Sequence, residues 1–264
     1  RLARRAGKHH QPLAVVAAID GLLSAGPTVL PLPPGVGVRP GTATLPLAGR
    51  RVIVSSGPTH EPIDPVRYIA NRSSGKQGHG IAAAAARAGA HVTLVSGPVS
   101  VPDPPGVSVV HVETARDMLA AVQAALPADI FVSAAAVADW RVANEASGKM
   151  KKDGSGPPGL SLVENPDILA TIAGEHAQRP PLVVGFAAET DRVLDHARDK
   201  LARKKCDMII ANDVGAAGGV MGGDHNTVHL VTKEGVESWP RLAKDEVSQR
   251  LVAQFARMIS GQTK

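Results

Sequence analysis

The fold is decided by one stretch, RRVIVSSGPTHEPIDPVRYIANRSSGKQGHGIAAAAARAGAHVTLVSG (50–97). It opens on a short β-branched run, RRVIVSSG (50–57), that stops at a turn signal. SSGKQGHGIAAAAARAG (73–89) is rich in Ala, the strongest helix former, and Gly89 stands where a helix end takes a left-handed residue. HVTLVSG (91–97) is again an apolar run of strand length. Strand, helix and strand in this order make a crossover unit with parallel strands. The alternation continues outward. VSVVHVE (107–113), DIFVSAAA (129–136), PLVVGFAAE (181–189) and DMIIAND (207–213) read as strands. TARDMLAAVQAAL (114–126) reads as a helix capped by Thr114, and ENPDILATIAGEH (164–176) as one with Pro166 in its first turn. RVLDHARDKLARK (192–204) and KDEVSQRLVAQFARMI (244–259) are further helices, and TVHLVTKEGVESWP (227–240) is a hairpin turning at Glu234–Gly235. The strands are nearly continuous in hydrophobicity, as expected where helices cover both faces of a sheet. The expectation is an α/β fold: a doubly wound, mostly parallel, Rossmann-like sheet with a C-terminal hairpin, over 48–264.

Residues 1–47 differ. PLAVVAAIDGLL (12–23) has the spacing of one short helix, and Pro27, Pro31, Pro33, Pro34, Gly35, Gly37, Pro40 and Gly41 follow it. That composition predicts the end of another unit and then an extended tether. Among all 264 residues, hydrophobics are 44% and charged residues 20%, as in ordinary globular proteins. Only 2% are aromatic, which weighs against a base-stacking surface for single-stranded nucleic acid. The net charge of +5 suits anionic small molecules. A single cysteine, Cys206, excludes a disulfide framework and fits a reducing cytosol. No apolar run reaches the roughly 20 residues that span a bilayer, and no basic-then-apolar leader is visible. A cytoplasmic protein without membrane or nucleic-acid partners is expected.

In such folds ligands bind beyond the carboxyl ends of the strands. One such place is RYIANRSSGKQGHG (67–80), where Ser73, Ser74 and Gly75 open a helix beside Arg67, Arg72 and Lys76. Unpaired backbone N–H groups, hydroxyls and cations there suit a phosphate, although Ser73 also reads as a plain helix cap. The spacing is neither that of a Walker A loop nor of the G-x-G-x-x-G dinucleotide fingerprint, and the second strand ends without a ribose-binding acid. In SAAAVADWR (133–141) three small residues let a flat ligand approach the backbone, and Asp139 beside them suits a ribose hydroxyl or hydrated Mg²⁺, or else a simple turn. GKMKKDGSGPPG (148–159) reads as a solvated loop or as a lysine-bearing lid. Lys200 and Lys204 share one helix face, and Phe186 follows Gly185 at a strand end. The ten histidines show no metal-ligand spacing, and no G-x-S-x-G elbow is present.

Taken in order, SSGPTHEPIDPVRYIANRSSGKQGHGIA, LVSGPV, AAAVADWR, KMKK, NPDIL, GFAAET and ANDV resemble the bacterial phosphopantothenoylcysteine synthetase (phosphopantothenate–cysteine ligase) family, collinearly from about Leu47 onward. GKHHQPLAVVAAIDGLL (7–23) resembles the last helix of the flavin-dependent decarboxylase that usually precedes this ligase in a bifunctional coenzyme A biosynthesis protein. The flavin site has no counterpart here, so only ligase chemistry is expected. The resemblance implies that 4′-phosphopantothenate is joined to L-cysteine using CTP and Mg²⁺, through an acyl-cytidylate with release of pyrophosphate and then CMP. It implies that Asn71 contacts the acyl intermediate and that Lys149 stabilises charge at the α-phosphate. Ala134, Ala135 and Ala136 would line the crevice, Asp139 would serve the nucleotide and Mg²⁺, and Phe186, Lys200 and Lys204 would bind CTP. Arg67, Ser73, Ser74 and Gly75 would serve phosphate groups, and a homodimer is implied. Trp140 stands where many members carry Tyr. Two rivals are an NAD(P)-dependent oxidoreductase, which lacks its fingerprint and a Tyr-x-x-x-Lys pair, and a non-catalytic basic nucleotide- or nucleic-acid-binding module, whose cations here are dispersed among acids.

Overall fold

A computed structural model describes residues 45–151, 159–189, 191–213 and 223–261. The stub and tether read at 1–44, and most of the lysine loop, lie outside the described residues. The strands are β1 (Arg51–Ser56), β2 (His60–Asp64), β3 (Arg67–Ala70), β4 (His91–Ser96), β5 (Ser108–His111), β6 (Ile130–Ser133), β7 (Trp140–Val142), β8 (Leu162–Glu164), β9 (Leu182–Glu189), β10 (Met208–Asp213), β11 (His225–Asn226), β12 (Val228–Val231), β13 (Val236–Ser238) and β14 (Leu242–Ala243). The helices are α1 (Lys76–Arg87), α2 (Ala115–Ala124), α3 (Ile168–Ala173), α4 (Val193–Lys204) and α5 (Lys244–Gly261).

The main sheet runs β5–β4–β1–β6–β9–β10–β12–β13. Its first six strands are parallel, and β12 and β13 add an antiparallel hairpin at one edge. This is the doubly wound order, with the reversal of strand order between β1 and β6. Successive side chains of a strand point to opposite faces, and the core divides accordingly. Val52, Val54, Ile130, Val132, Leu182 and Val184 pack with Ile81 of α1 and with Leu251 and Phe255 of α5. Ile53, Phe131, Val183 and Ile209 face the other way, onto Met118 and Val122 of α2, Ile172 of α3 and Leu201 of α4. Burial on both faces is why these strands lack polar alternation.

The structure differs from expectation in local detail. Leu47 is fully buried in the core and its N–H donates to Ala88 O at 2.9 Å, so the folded domain starts before residue 48. Ser73 does not cap α1. Gly75 is the N-cap in a left-handed conformation (φ 71°), and the Ser73 hydroxyl accepts from the Gly75 N–H instead. The 164–176 helix shrinks to α3, because Asp167 takes the cap by accepting from Ala170 N–H at 3.0 Å, which leaves Pro166 ahead of the helix. Thr114 caps α2 as expected, in a reciprocal capping box with Asp117. Three two-stranded ribbons, β2–β3, β7–β8 and β11–β14, were not foreseen. No helix among the described residues is long and apolar enough to cross a membrane.

Candidate active site

At the carboxyl ends of β1, β6, β9 and β10 lies a crevice of about 990 Å³, room enough for a nucleotide-sized ligand. Its floor is the strand end Ser133–Ala136, whose backbone is fixed to β1 by Ala134 N–H donating to Ser55 O at 3.1 Å and Ala136 N–H donating to Gly57 O at 2.8 Å. The loop that follows is held by three side chains. The buried Thr59 hydroxyl accepts from Ala138 N–H at 3.0 Å, Asn165 Nδ2 donates to Ala138 O at 2.8 Å, and Asn71 Nδ2 donates to Val137 O at 2.8 Å. Small residues therefore line the floor, and in the loop beyond it two side-chain amides hold the Val137 and Ala138 carbonyls while the Thr59 hydroxyl holds the Ala138 N–H. Exposed Asp139 stands at the end of this loop.

One wall is the turn before α1. Ser73, Ser74, Gly75, Lys76, Gln77 and Gly78 all line it. The turn is clamped from beneath: Gly75 O accepts from the Ser56 hydroxyl at 3.0 Å, and His79 Nδ1 lies 3.1 Å from the same oxygen and 3.0 Å from Ser56 Oγ. Ser56 Oγ and His79 Nδ1 thus both reach the Gly75 carbonyl. Burial holds His79 below its ordinary value, in keeping with a neutral ring. At Gly75 and Gly78 a side chain would run into Val99 and Ser56 respectively, which is why this turn is glycine-rich.

The opposite wall carries Phe186, Lys200 and Lys204. Lys200 Nζ donates to Phe186 O at 2.7 Å, and Lys204 Nζ pairs with Asp167. Burial pushes the Asp167 carboxyl up, but Lys204 and the Ala170 N–H outweigh it and hold the group below its ordinary value. On the same helix, Asp195 pairs with Arg192 and Arg198. Asn212, His225, Arg241 and Lys244, which the sequence did not single out, also line the crevice.

Two expected residues are not brought into this crevice. Arg67 is engaged by Asp64, with Nε 3.0 Å from Oδ2, and its other arm donates to Met150 O at 3.0 Å. Asp64 also accepts from Val66 and Met150 N–H, so the pair buckles β2–β3 onto the start of the lysine loop. Hydrogen bonding from Arg67 holds the Asp64 carboxyl far below the carboxylate range. Lys149 is exposed in that loop and does not line the crevice, while 152–158 lie outside the described residues. Cys206 does not line the crevice: it is buried, and burial pushes its thiol up to about 11. What the crevice does offer is positioned cations, backbone amides and a close backbone floor, which suit polyphosphate chemistry.

Residues 47–258 match the family model of the DNA/pantothenate metabolism flavoprotein C-terminal domain. The chain is 49% identical over 204 residues to the coenzyme A biosynthesis bifunctional protein CoaBC of Escherichia coli (strain K12), a match covering 76% of this chain and 50% of that one. It is 46% identical over 226 residues to CoaBC of Mycobacterium tuberculosis (strain H37Rv), covering 81% and 54%. The crystal structure of the C-terminal domain of a CoaBC superposes with a TM-score of 0.69 at 37% identity, covering 82% of this chain and 99% of that one. The chain thus spans about half the length of the curated relatives it matches.

Proposed function

The chain belongs to the DNA/pantothenate metabolism flavoprotein C-terminal domain family, and on that premise we propose that it is a phosphopantothenate–cysteine ligase of coenzyme A biosynthesis that consumes CTP. The observation that carries the reading is the crevice itself. A small-residue floor at a reversal of strand order lies between a glycine-rich turn and a lysine-bearing wall.

The proposed course has two steps. The carboxylate of 4′-phosphopantothenate attacks the α-phosphorus of CTP, expelling pyrophosphate and leaving an acyl-cytidylate. The amine of L-cysteine then attacks the acyl carbon and CMP departs. The protein's task in both is to place the reactants and neutralise phosphate charge. Ala134–Ala136 and Phe186 receive the nucleoside, Lys200 and Lys204 its phosphates, and Ser73–Gly75 the phosphates at the other wall. Asn71, now donating to Val137 O, redirects its amide to the acyl oxygen in the second step. Lys149 acts on the α-phosphate from the loop that Asp64 and Arg67 anchor, and Arg67 serves phosphate only if its bond to Asp64 opens or a second copy is near.

The described residues hold no cluster of three His, Cys, Asp or Glu able to cage a metal by themselves. Mg²⁺ does not need one, since it binds through one or two carboxylates together with substrate phosphates and water. Exposed Asp139 at the rim fits that donor set and would hold Mg²⁺ against the triphosphate, where the ion neutralises charge. The homodimer is proposed on Val66, Tyr68, Trp140, Leu162 and Val163, exposed apolar side chains on or beside the ribbons β2–β3 and β7–β8. The testing experiment is pyrophosphate release from purified protein. Release should require phosphopantothenate, be faster with CTP than with ATP, and be followed by product when cysteine is added; CTP left intact under all these conditions would overturn the reading.

A further inference from the structure

The corner of the crevice where α1 and α5 begin has a composition that the proposed roles do not use. Lys76, first residue of α1, places Nζ 2.7 Å from Asp224 Oδ1. Lys244, first residue of α5, and Arg241 just before it line the same crevice. The corner is fixed by backbone. Lys244 N–H donates to Asp224 O at 2.9 Å, and β11, which follows Asp224, pairs with β14, which precedes Lys244. Gln77 Nε2 ties the two helices by donating to Ser248 Oγ at 2.9 Å and Lys244 O at 3.3 Å. Two helix N-termini, each with a positive end, therefore meet at two cationic side chains, Lys76 and Lys244, with Arg241 lining the same crevice.

We propose that Lys76 and Lys244 form a subsite for a terminal phosphate group, and that the Asp224 carboxylate occupies it as a tethered stand-in that the phosphate displaces. The inference rests on the ligase reading only for the ligand's source. Asp224 is a good stand-in because it is poorly held. Its side chain is 81% exposed and that of Lys76 41%, so the pair is weak and opens readily. It is also an incomplete match. One carboxylate carries one charge, whereas a phosphate presents about two charges and three strong acceptor oxygens to ammonium groups that each have three donors. The titration behaviour agrees: burial and the nearby charge of Lys76 both hold Lys244 below its ordinary value, and Lys76 holds Asp224 below its own. Two ammonium groups close enough to disfavour one another are relieved by an incoming anion.

The test measures binding of inorganic pyrophosphate to the full chain by calorimetry in magnesium-free buffer. Asp224→Asn removes the competing charge and should tighten binding about two- to fivefold, the range set by an exposed ion pair. Lys76→Met and Lys244→Met should each weaken it about tenfold, the scale of a hydrogen bond to a charged group. In a Lys76→Met background, Asp224→Asn should no longer tighten binding. A purely structural Asp224–Lys76 bridge predicts the reverse sign, because losing it would loosen the corner. Unchanged or weaker binding in Asp224→Asn, or unchanged binding in Lys76→Met, overturns the proposal. Product inhibition separates the sources: pyrophosphate competing with CTP assigns the subsite to the nucleotide's terminal phosphate, and competition with phosphopantothenate assigns it to the substrate's phosphate ester. Tightening in Asp224→Asn with no ligase turnover in the native chain would uphold the subsite while refuting the function.

Discussion

Replacing Asp167 by Ala removes two interactions that the structure assigns to different oxygens. Oδ1 caps α3 by accepting from Ala170 N–H at 3.0 Å, and Oδ2 receives the Lys204 ammonium. Helix α3 has only six residues, too short to persist by itself, and it buries Ile168, Leu169, Ile172 and Ala173 against the sheet. Loss of the cap should cost about 1 kcal/mol. The ion pair, with Lys204 18% and Asp167 42% exposed, is partly screened and adds up to about 1 kcal/mol more. For a domain of this size each kcal/mol moves the melting temperature by about 2–4 °C, so Asp167→Ala should melt about 2–8 °C lower. Asp167→Asn keeps a good capping oxygen and loses only the charge, so it should fall by about 1–3 °C. The pH dependence has a definite sign. A carboxyl held below its ordinary value contributes fully above the unfolded value near 3.8, and that contribution is lost as pH falls through the lower folded value. The gap between native and Asp167→Asn melting temperatures should thus stay constant from neutrality to about pH 5 and close in stronger acid. Scanning calorimetry across pH reads all of this. An Asp167→Ala protein melting with the native one, or Asp167→Asn as damaged as Asp167→Ala, would refute the division between cap and charge.

Gly97→Ala would set its Cβ onto the Pro58 carbonyl oxygen, a backbone atom that cannot yield, so the variant should express without a cooperative melting transition; a native-like transition would contradict the close approach of β4's exit to β1's. His79, held neutral by burial, stabilises the fold above the unfolded value near 6.5 and progressively less as pH falls through its lower folded value. His79→Gln should therefore flatten the fall in melting temperature between about pH 6.5 and 5, and an unaltered slope would place the acid sensitivity elsewhere. Asn71→Ala should still release pyrophosphate from CTP yet fail to form product with cysteine, so that acyl-cytidylate accumulates in mass spectra; ordinary turnover would exclude the role given to its amide.

The main sheet was legible because its central parallel strands are buried on both faces. RVIVSS and LVVGFAAE read as unbroken apolar runs, and nothing outside the strand competes for that pattern. The ribbons were not legible for the opposite reason. HEPID and RYIA are short and largely polar, and their pairing depends on Asp64, whose buried carboxylate holds Val66, Arg67 and Met150. A local signal was nevertheless present: Asp64-Pro65 is an aspartate at the first and a proline at the second position of a tight turn, between two candidate strands. The β7–β8 ribbon offered no such mark, since WRV and LVE are three residues each and joined across a long loop.

At the site, residue types were legible and their partners were not. Helical spacing placed Lys200 and Lys204 on one face, and both do line the crevice, but spacing within a helix cannot show that one would meet Phe186 O and the other Asp167. The same holds for Lys76, whose partner Asp224 lies 148 residues away in sequence. These two pairs have a common physical origin. A crevice built for polyphosphate concentrates cations, and without an anionic ligand those cations repel one another unless carboxylates of the chain lie among them. Asp167 supplies such a group at one wall and Asp224 at the other, and they differ in what else they do. Asp167 is bound into a helix cap and cannot leave cheaply, whereas the Asp224 side chain, bonded among the described residues to Lys76, stands mostly in solvent. An anionic ligand should accordingly displace Asp224 and leave Asp167 in place, making the α1–α5 corner the adjustable end of the crevice and the α3–α4 wall its fixed end.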